Sequence, residues 1–236
     1  MNIESGFYAL SGLAFAAVIA LLRNGDHAKK LIAYYIMAGS IWIVYTIAIA
    51  KTGVLNDFSL PPRVPLFIVI PSVITIVFIT GRPSFRTVLE KTPLALPVFL
   101  ISFRILVELL IYGAYRNGVF PQRVTFEGLN FDGLVGLSSL IVGVLLVKKM
   151  FSLQALLTWN IVSLAVLGLT VYSFVSAYYF TDYVASTGNN EFVSFPYLLI
   201  ASVLLPIALF LHVFSIRQIV VFRKARGAQV PASGML

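Results

Sequence analysis

Seven apolar runs dominate this chain, at residues 6–22, 31–50, 64–80, 93–115, 131–147, 153–179 and 194–216. A bilayer-crossing helix needs ~20 apolar residues, with a range of about 17–25. Inside hydrocarbon the backbone must satisfy its own hydrogen bonds, so runs of this kind are helices. The expected fold class is therefore all-α, a polytopic seven-transmembrane-helix bundle. Residues 1–217 are expected to form the transmembrane domain and 218–236 a basic, partly disordered tail. Only 11% of the residues are charged, against about 25% in soluble domains. Nearly every residue is committed to a span or a short loop, which leaves no room for a separate soluble catalytic domain. Cysteine is absent, so disulfides, thiolate chemistry and cysteine metal sites are excluded. The segment MNIESGFYAL lacks a basic n-region and a small-residue cleavage site, so no cleaved signal peptide is expected.

The net charge is +8. In a soluble protein that would point to nucleic acid, but here the basic residues cluster at the ends of the apolar runs. Alternate connections carry Arg23, Lys29 and Lys30, then Arg82, Arg86 and Lys91, then Lys148 and Lys149, then Arg217, Arg223, Lys224 and Arg226. The intervening connections carry only Lys51, Arg63, Arg116 and Arg123, together with Glu4, Asp57, Glu127, Asp132, Asp182 and Glu191. Lys and Arg concentrate on the cytoplasmic side. The expectation is an N-terminus outside, a C-terminus in the cytoplasm, a lipid bilayer as partner and no nucleic acid. The fifth span carries Gly133, Gly136 and Gly143. Small residues of this kind let helices approach closely.

The fourth span contains FRILVELL, which places Arg104 and Glu108 near the bilayer midplane. Insertion of either charge there costs about 2.5–3.5 kcal/mol. Residues four apart share a helix face, and Tyr112 continues that face. Two arrangements fit. The stripe Arg104, Glu108, Tyr112 lines a ligand pocket or proton path, or Arg104 and Glu108 neutralise each other as a packing lock. Tyr35, Trp42, Tyr45 and Thr46 on span two, Ser72 and Thr75 on span three and Ser202 on span seven read as interhelical or interfacial contacts, with a kink expected at Pro71. Span six adds Asn160, Ser163, Thr170 and Ser173 near helical period. Asn160 and His212 are the further candidate ligand-binding residues. His212 fits a packing role or a proton relay. The other histidine, His27, lies in a loop, so no histidine metal site is expected.

The connection RNGVFPQRVTFEGLNFDGLVGLS supplies Glu127, Asn130 and Asp132 as outer-loop candidates. Asn130 or Asp132 suits the N-cap of span five. A cap with an aromatic anchor at Phe126 and Phe131 is the favoured reading, and an extracellular lid over the span-four stripe is the alternative, with which it can coexist. The runs VELLIYGAYRNGVFP and TFEGLNFDGLVG resemble a family of uncharacterised bacterial seven-helix membrane proteins, over roughly residues 104–137. That resemblance implies a shared fold and a bacterial inner (cytoplasmic) membrane, and no functional residue follows from it.

Span seven has no lysine for a retinal Schiff base, and the Asp-Arg-Tyr and Asn-Pro-x-x-Tyr signatures of G-protein-coupled receptors are absent. The single Pro-Gln pair, Pro121-Gln122, lies in a loop rather than in the spans where PQ-loop transporters carry it. No paired acids, HExxH, Ser-His pair or zinc ligand set appears, so no catalytic, cofactor or metal residues are assigned. The expectation is a sensor, receptor or small transporter that binds a small molecule, ion or lipid headgroup in a buried polar pocket on span four. An anionic head is preferred because arginine grips carboxylates through its planar fork. The alternative is a structural or accessory subunit, with an intramembrane enzyme behind both.

Overall fold

A computed structural model describes residues 2–228. Among them every regular element is a helix. The α-helices are α1 (Ile3–Leu22), α2 (Ala28–Lys51), α3 (Ile70–Thr80), α4 (Arg86–Lys91), α5 (Ala95–Leu100), α6 (Phe103–Arg116), α7 (Asp132–Val147), α8 (Leu153–Tyr179), α9 (Tyr183–Thr187) and α10 (Leu205–Ala228). Five segments are each long and apolar enough to cross a membrane: α1, α2, α5 with α6, α8, and Ile200–Ala225. Pro65–Thr80 reaches that length only together with Pro83–Lys91, across a bend of 76°. The apolar α7, with 16 residues, is also too short to count as a span by that measure. The chain is thus an all-helical protein with five or six candidate membrane spans. Exposed side chains agree with that reading. Ile41, Val44, Ile74 and Leu134 are each more than 60% exposed, a surface that suits lipid and not water.

Contacts sort the connections into two ends. At one end Asn189 donates to the carbonyls of Gly118 and Val119, Asn190 to Asn56, and Ile3 meets Gly113. At the other, Asn24 donates to Thr92, Lys91 pairs with Asp26, and Gln218 donates to the carbonyls of Leu89 and Thr92. These are called below the loop end and the basic end. Residues 218–225 prolong α10. The expected disorder lies at 229–236, outside the described residues.

Three of the spans are irregular, each for a local reason. The segments Pro65–Val69 and Ile200–Leu204 are π-helical turns that run into α3 and α10. Pro71 and Pro206 lack an N–H, so the carbonyls four residues earlier, on Phe67 and Ser202, lose the i+4 donor of an α-helix. Both are met from α2: the Tyr45 hydroxyl donates to Phe67 at 2.9 Å and the Trp42 indole to Ser202 at 2.7 Å. Trp42 and Tyr45 therefore latch two proline-broken helices rather than simply marking a membrane interface. The feature at Pro71 is a widened turn ahead of the proline. Span four, expected to be continuous, is broken at Ile101–Ser102. There the bonds shorten to i→i+3, from Ser102 N–H to Phe99 and from Arg104 N–H to Ile101. The tightened turn sits immediately before Arg104.

α6 and α7 pack antiparallel through glycine. A Cβ on Gly136 would lie 2.8 Å from the backbone nitrogen of Ile105, and one on Gly143 2.5 Å from the Phe99 ring. Gly133 lies against Glu108. Glu108 is eight residues short of Arg116, so α7 begins about 12 Å below the loop-end terminus of α6, at 1.5 Å per residue. The preceding segment must reach down to that depth. Val124, Thr125 and Asn130 are accordingly fully buried. The connection expected to cover the stripe as an outer lid is instead a plug inserted among α6, α7 and α8.

Candidate functional site

A buried loop must pair its backbone groups without water. The plug does so with side chains. Glu108 Oε1 accepts the Phe126 N–H at 2.8 Å, Thr125 Oγ1 the Glu127 N–H, and Asn130 Oδ1 the Asp132 N–H at 3.1 Å. The Asn130 amide donates to the Val124 carbonyl, and Arg123 Nε donates to Ser176 on α8 at 2.7 Å. Asn130 thus closes the entry to α7, whose N-cap position is Phe131. Asp132, the first residue of α7, takes no capping role and points to the bundle axis.

There it meets Arg104. The guanidinium grips both Asp132 oxygens: Nε donates to Oδ2 at 2.8 Å and Nη2 to Oδ1. Both residues are buried, Arg104 completely. The positive end of the α7 dipole adds to the stabilisation of the carboxylate. The Thr170 hydroxyl of α8 lies 2.9 Å from Asp132 Oδ1 and 2.8 Å from Asn130 Oδ1. The expected Arg104–Glu108 pair is therefore not formed. The i,i+4 spacing brings the two side chains to one face, but Asp132 presents both oxygens to the fork, and a bidentate carboxylate is the stronger partner. Glu108 is diverted to the plug, where Oε1 is used and Oε2 has no hydrogen-bond partner.

A directed chain runs from Arg104 toward the basic end. Arg104 Nη1 lies 3.1 Å from His212 Nε2. Arginine has no acceptor, so Nε2 must carry the lone pair. His212 Nδ1 then carries the hydrogen and donates to Asn160 Oδ1 at 2.9 Å. The Asn160 amide nitrogen donates onward to Ser215 Oγ at 3.0 Å and to the Leu156 carbonyl. All four side chains are fully buried. His212 is neutral in this arrangement, beside the Trp159 ring. One turn further along α10, Gln218 binds the Leu89 and Thr92 carbonyls.

The sequence candidates divide accordingly. Arg104, Asp132, Asn130, Asn160 and His212 join one hydrogen-bonded group. Glu108 lies beside it, behind the plug. Tyr112 and Glu127 form a separate pair near the loop-end surface, 3.1 Å apart, with Gln122 also donating to Glu127. Thr170 stands out in the sequence only as part of the polar set on span six, and Ser215 and Gln218 join the group without being sequence candidates. The spacing of His212, Ser215 and Gln218 down one face of α10 was the signal available.

A cavity of about 50 Å³ abuts this group. Its walls come from the two π-helical turns, α6, α8 and α10, and are apolar apart from Arg104, Asp132, Thr170 and Tyr179. Arg104 uses three of its five N–H groups on Asp132 and His212. Two N–H are left without a bond to these residues, and Arg104 is part of the cavity wall. A groove of about 420 Å³ between α1, α5, α6 and α10 is larger, but Ser102 is its one polar lining residue. Among the described residues no three His, Cys, Asp or Glu side chains cluster as metal ligands. No known protein family, curated protein or solved structure matches the chain.

Proposed function

We propose that this protein is a seven-pass receptor, sensor or small transporter that binds a small molecule in the cavity ending at Arg104. The observation that carries the proposal is an apolar cavity closed at one end by a charged, hydrogen-bonding group with unused donors. Asp132 already fills the Arg104 fork, so the polar end is an ion pair rather than a free cation. That alters the ligand chemistry. A carboxylate would have to displace Asp132, whereas a neutral head with a carbonyl or hydroxyl accepts the two remaining N–H groups. The volume suits about four waters, at ~10–15 Å³ each, or a molecule of a few heavy atoms. The twelve-to-four division of basic residues supports an N-terminus outside. A bacterial inner membrane, which the resemblance suggested over residues 104–137 would imply, is part of the same proposal.

The test is ligand-dependent thermal stabilisation of the purified protein in a screen of small neutral amphiphiles. Ala208 lines the cavity and is buried. A compound that raises the Tm of the wild type but not of Ala208→Leu supports the site. Compounds that act equally on both variants count against it. Reporter fusions at the C-terminus test the orientation, which predicts activity only for a cytoplasmic reporter.

One observation favours a second reading. The closed Arg104–Asp132 pair also serves to anchor the plug, as a structural or accessory subunit would require. A stable, ligand-insensitive protein that co-purifies with a fixed membrane partner would favour that role.

A further inference from the structure

Glu108 is the one acidic side chain of the bundle interior that the ion pair leaves over. It is 4% exposed. Its Oε1 holds the Phe126 N–H, and its Oε2 has no hydrogen-bond partner. The charged groups that act on it are Asp132, at the head of α7, and Arg104, one turn away on α6. Arg104 is already neutralised by Asp132 through both oxygens. An ionised Glu108 would thus add a second negative charge to one arginine, with one oxygen facing no donor. An ion in that state carries a heavy desolvation penalty. Metal cations do not resolve it, because hard cations take about six oxygens and no cluster of three acidic or imidazole ligands exists among the described residues. A single unshared oxygen holds one cation well, which is a proton.

We propose that Glu108 is a proton-binding site, loaded at Oε2 in this conformation and exchanging with the loop end past Phe126. The site is distinct from the cavity, whose lining does not include Glu108. The exchange route is short. The Phe126 peptide is bonded to Glu108, the residue is 48% exposed, and its ring packs against Tyr112 with centroids 4.6 Å apart. The Tyr112 hydroxyl donates to Glu127 at the surface. Displacing the Phe126 turn uncovers the carboxyl and removes the peptide donor at Oε1, leaving the Asn130 amide as the neighbouring polar group. The reaction is a simple ionisation: the carboxyl O–H breaks, the proton leaves to water, and the electron pair stays on the carboxylate. The carboxylate then competes with Asp132 for the guanidinium. Loading and release of the proton are coupled in this way to the partner choice of Arg104.

Infrared difference spectroscopy of the intact protein in lipid tests this directly. A carboxylic-acid C=O band should be present in the wild type, disappear on raising the pH, and be absent from Glu108→Gln. Glu108→Gln should retain the wild-type Tm, because the carboxamide mimics the protonated acid. The hydrophobic reagent dicyclohexylcarbodiimide, which attacks protonated carboxyls, should label Glu108 and spare Asp132. If wild type and Glu108→Gln show the same acid bands at every pH where the protein is folded, the proposal is overturned. Loss of folding in Glu108→Gln, with retention in Glu108→Asp, would also overturn it, since an obligatory anion would then be the structural requirement.

Discussion

Replacing Asp132 with Asn would leave the shape of the site nearly unchanged and strand the charge of a fully buried arginine. The wild-type carboxylate receives two bonds from Arg104 and lies within reach of Thr170. Breaking a buried pair by removing one partner costs about 3–5 kcal/mol. At 1.36 kcal/mol per factor of ten, this is a shift of roughly a hundred- to several-thousand-fold in the unfolding equilibrium. Total stabilities are ~5–15 kcal/mol, so the loss is severe. Arg104→Met should be comparably harmful because it strands Asp132. The double variant Arg104→Met/Asp132→Leu removes both charges, and apolar replacement of a whole pair is often neutral or stabilising. It should therefore lose much less than the sum of the losses in Arg104→Met and Asp132→Leu taken singly. The assay is reversible unfolding in mixed micelles, followed by the fluorescence of Trp159, whose ring lies 5.6 Å from His212. A parallel cycle for Arg104 and Glu108 should show the weaker coupling. Additivity within ~0.5 kcal/mol for Arg104 and Asp132 would refute the ion-pair account.

Three further outcomes follow from the geometry. Gly136→Leu should separate α6 from α7 and sharply lower stability in a thermal melt, because even a Cβ there would lie 2.8 Å from the Ile105 backbone; Gly12→Ala, where nothing lies within 4 Å, should be tolerated. Trp42→Phe should cost about 1–3 kcal/mol in unfolding assays by leaving the Ser202 carbonyl unmet, whereas a purely interfacial tryptophan would tolerate the change. In the loop at 57–63, hydrogen bonds from Ser59 and then Arg63 hold the Asp57 carboxyl below its ordinary range. Its contribution is present above the unfolded value and is lost as pH falls through the folded one. Asp57→Asn should therefore lower the neutral plateau of the Tm–pH profile slightly and flatten its acid limb, so that variant and wild type converge at low pH.

Hydropathy made the helical, membrane-embedded class legible, and a free-standing charge in an apolar run marked Arg104 as central. The partner of that arginine was not legible. Periodicity reports which residues share a face within one helix, and so it favoured Glu108. Asp132 is distant in sequence and looked like a helix cap at a loop boundary. Only the depth of α7 reveals it as an interior residue, and that depth is set by glycine-to-backbone packing. The glycines at 133, 136 and 143 were visible, but spacing alone does not say which helix they meet. His212 and Asn160 were recognised separately, as polar residues on different spans. Their connection depends on α8 and α10 lying side by side. The π-helical turns were heralded by Pro71 and Pro206, whereas the tightened turn before Arg104 has no comparable mark in the sequence.

The depth at which α7 begins also bears on how the chain is made. A nascent span bearing Arg104 enters the bilayer at a cost of about 2.5–3.5 kcal/mol for that charge. The residue that neutralises Arg104 emerges from the ribosome 28 positions later. If α6 entered alone, it would carry an unpartnered arginine until α7 arrived, and the plug would have no walls to bond. Were α7 to cross the bilayer as well, the economical order would be insertion of α6 and α7 as one hairpin, already zipped by the Arg104–Asp132 pair, followed by docking of α8 to secure the plug through Thr170 and Ser176. A biosynthetic intermediate released after Leu129 should accordingly be poorly retained in the membrane, and one extended through α7 should be stable there.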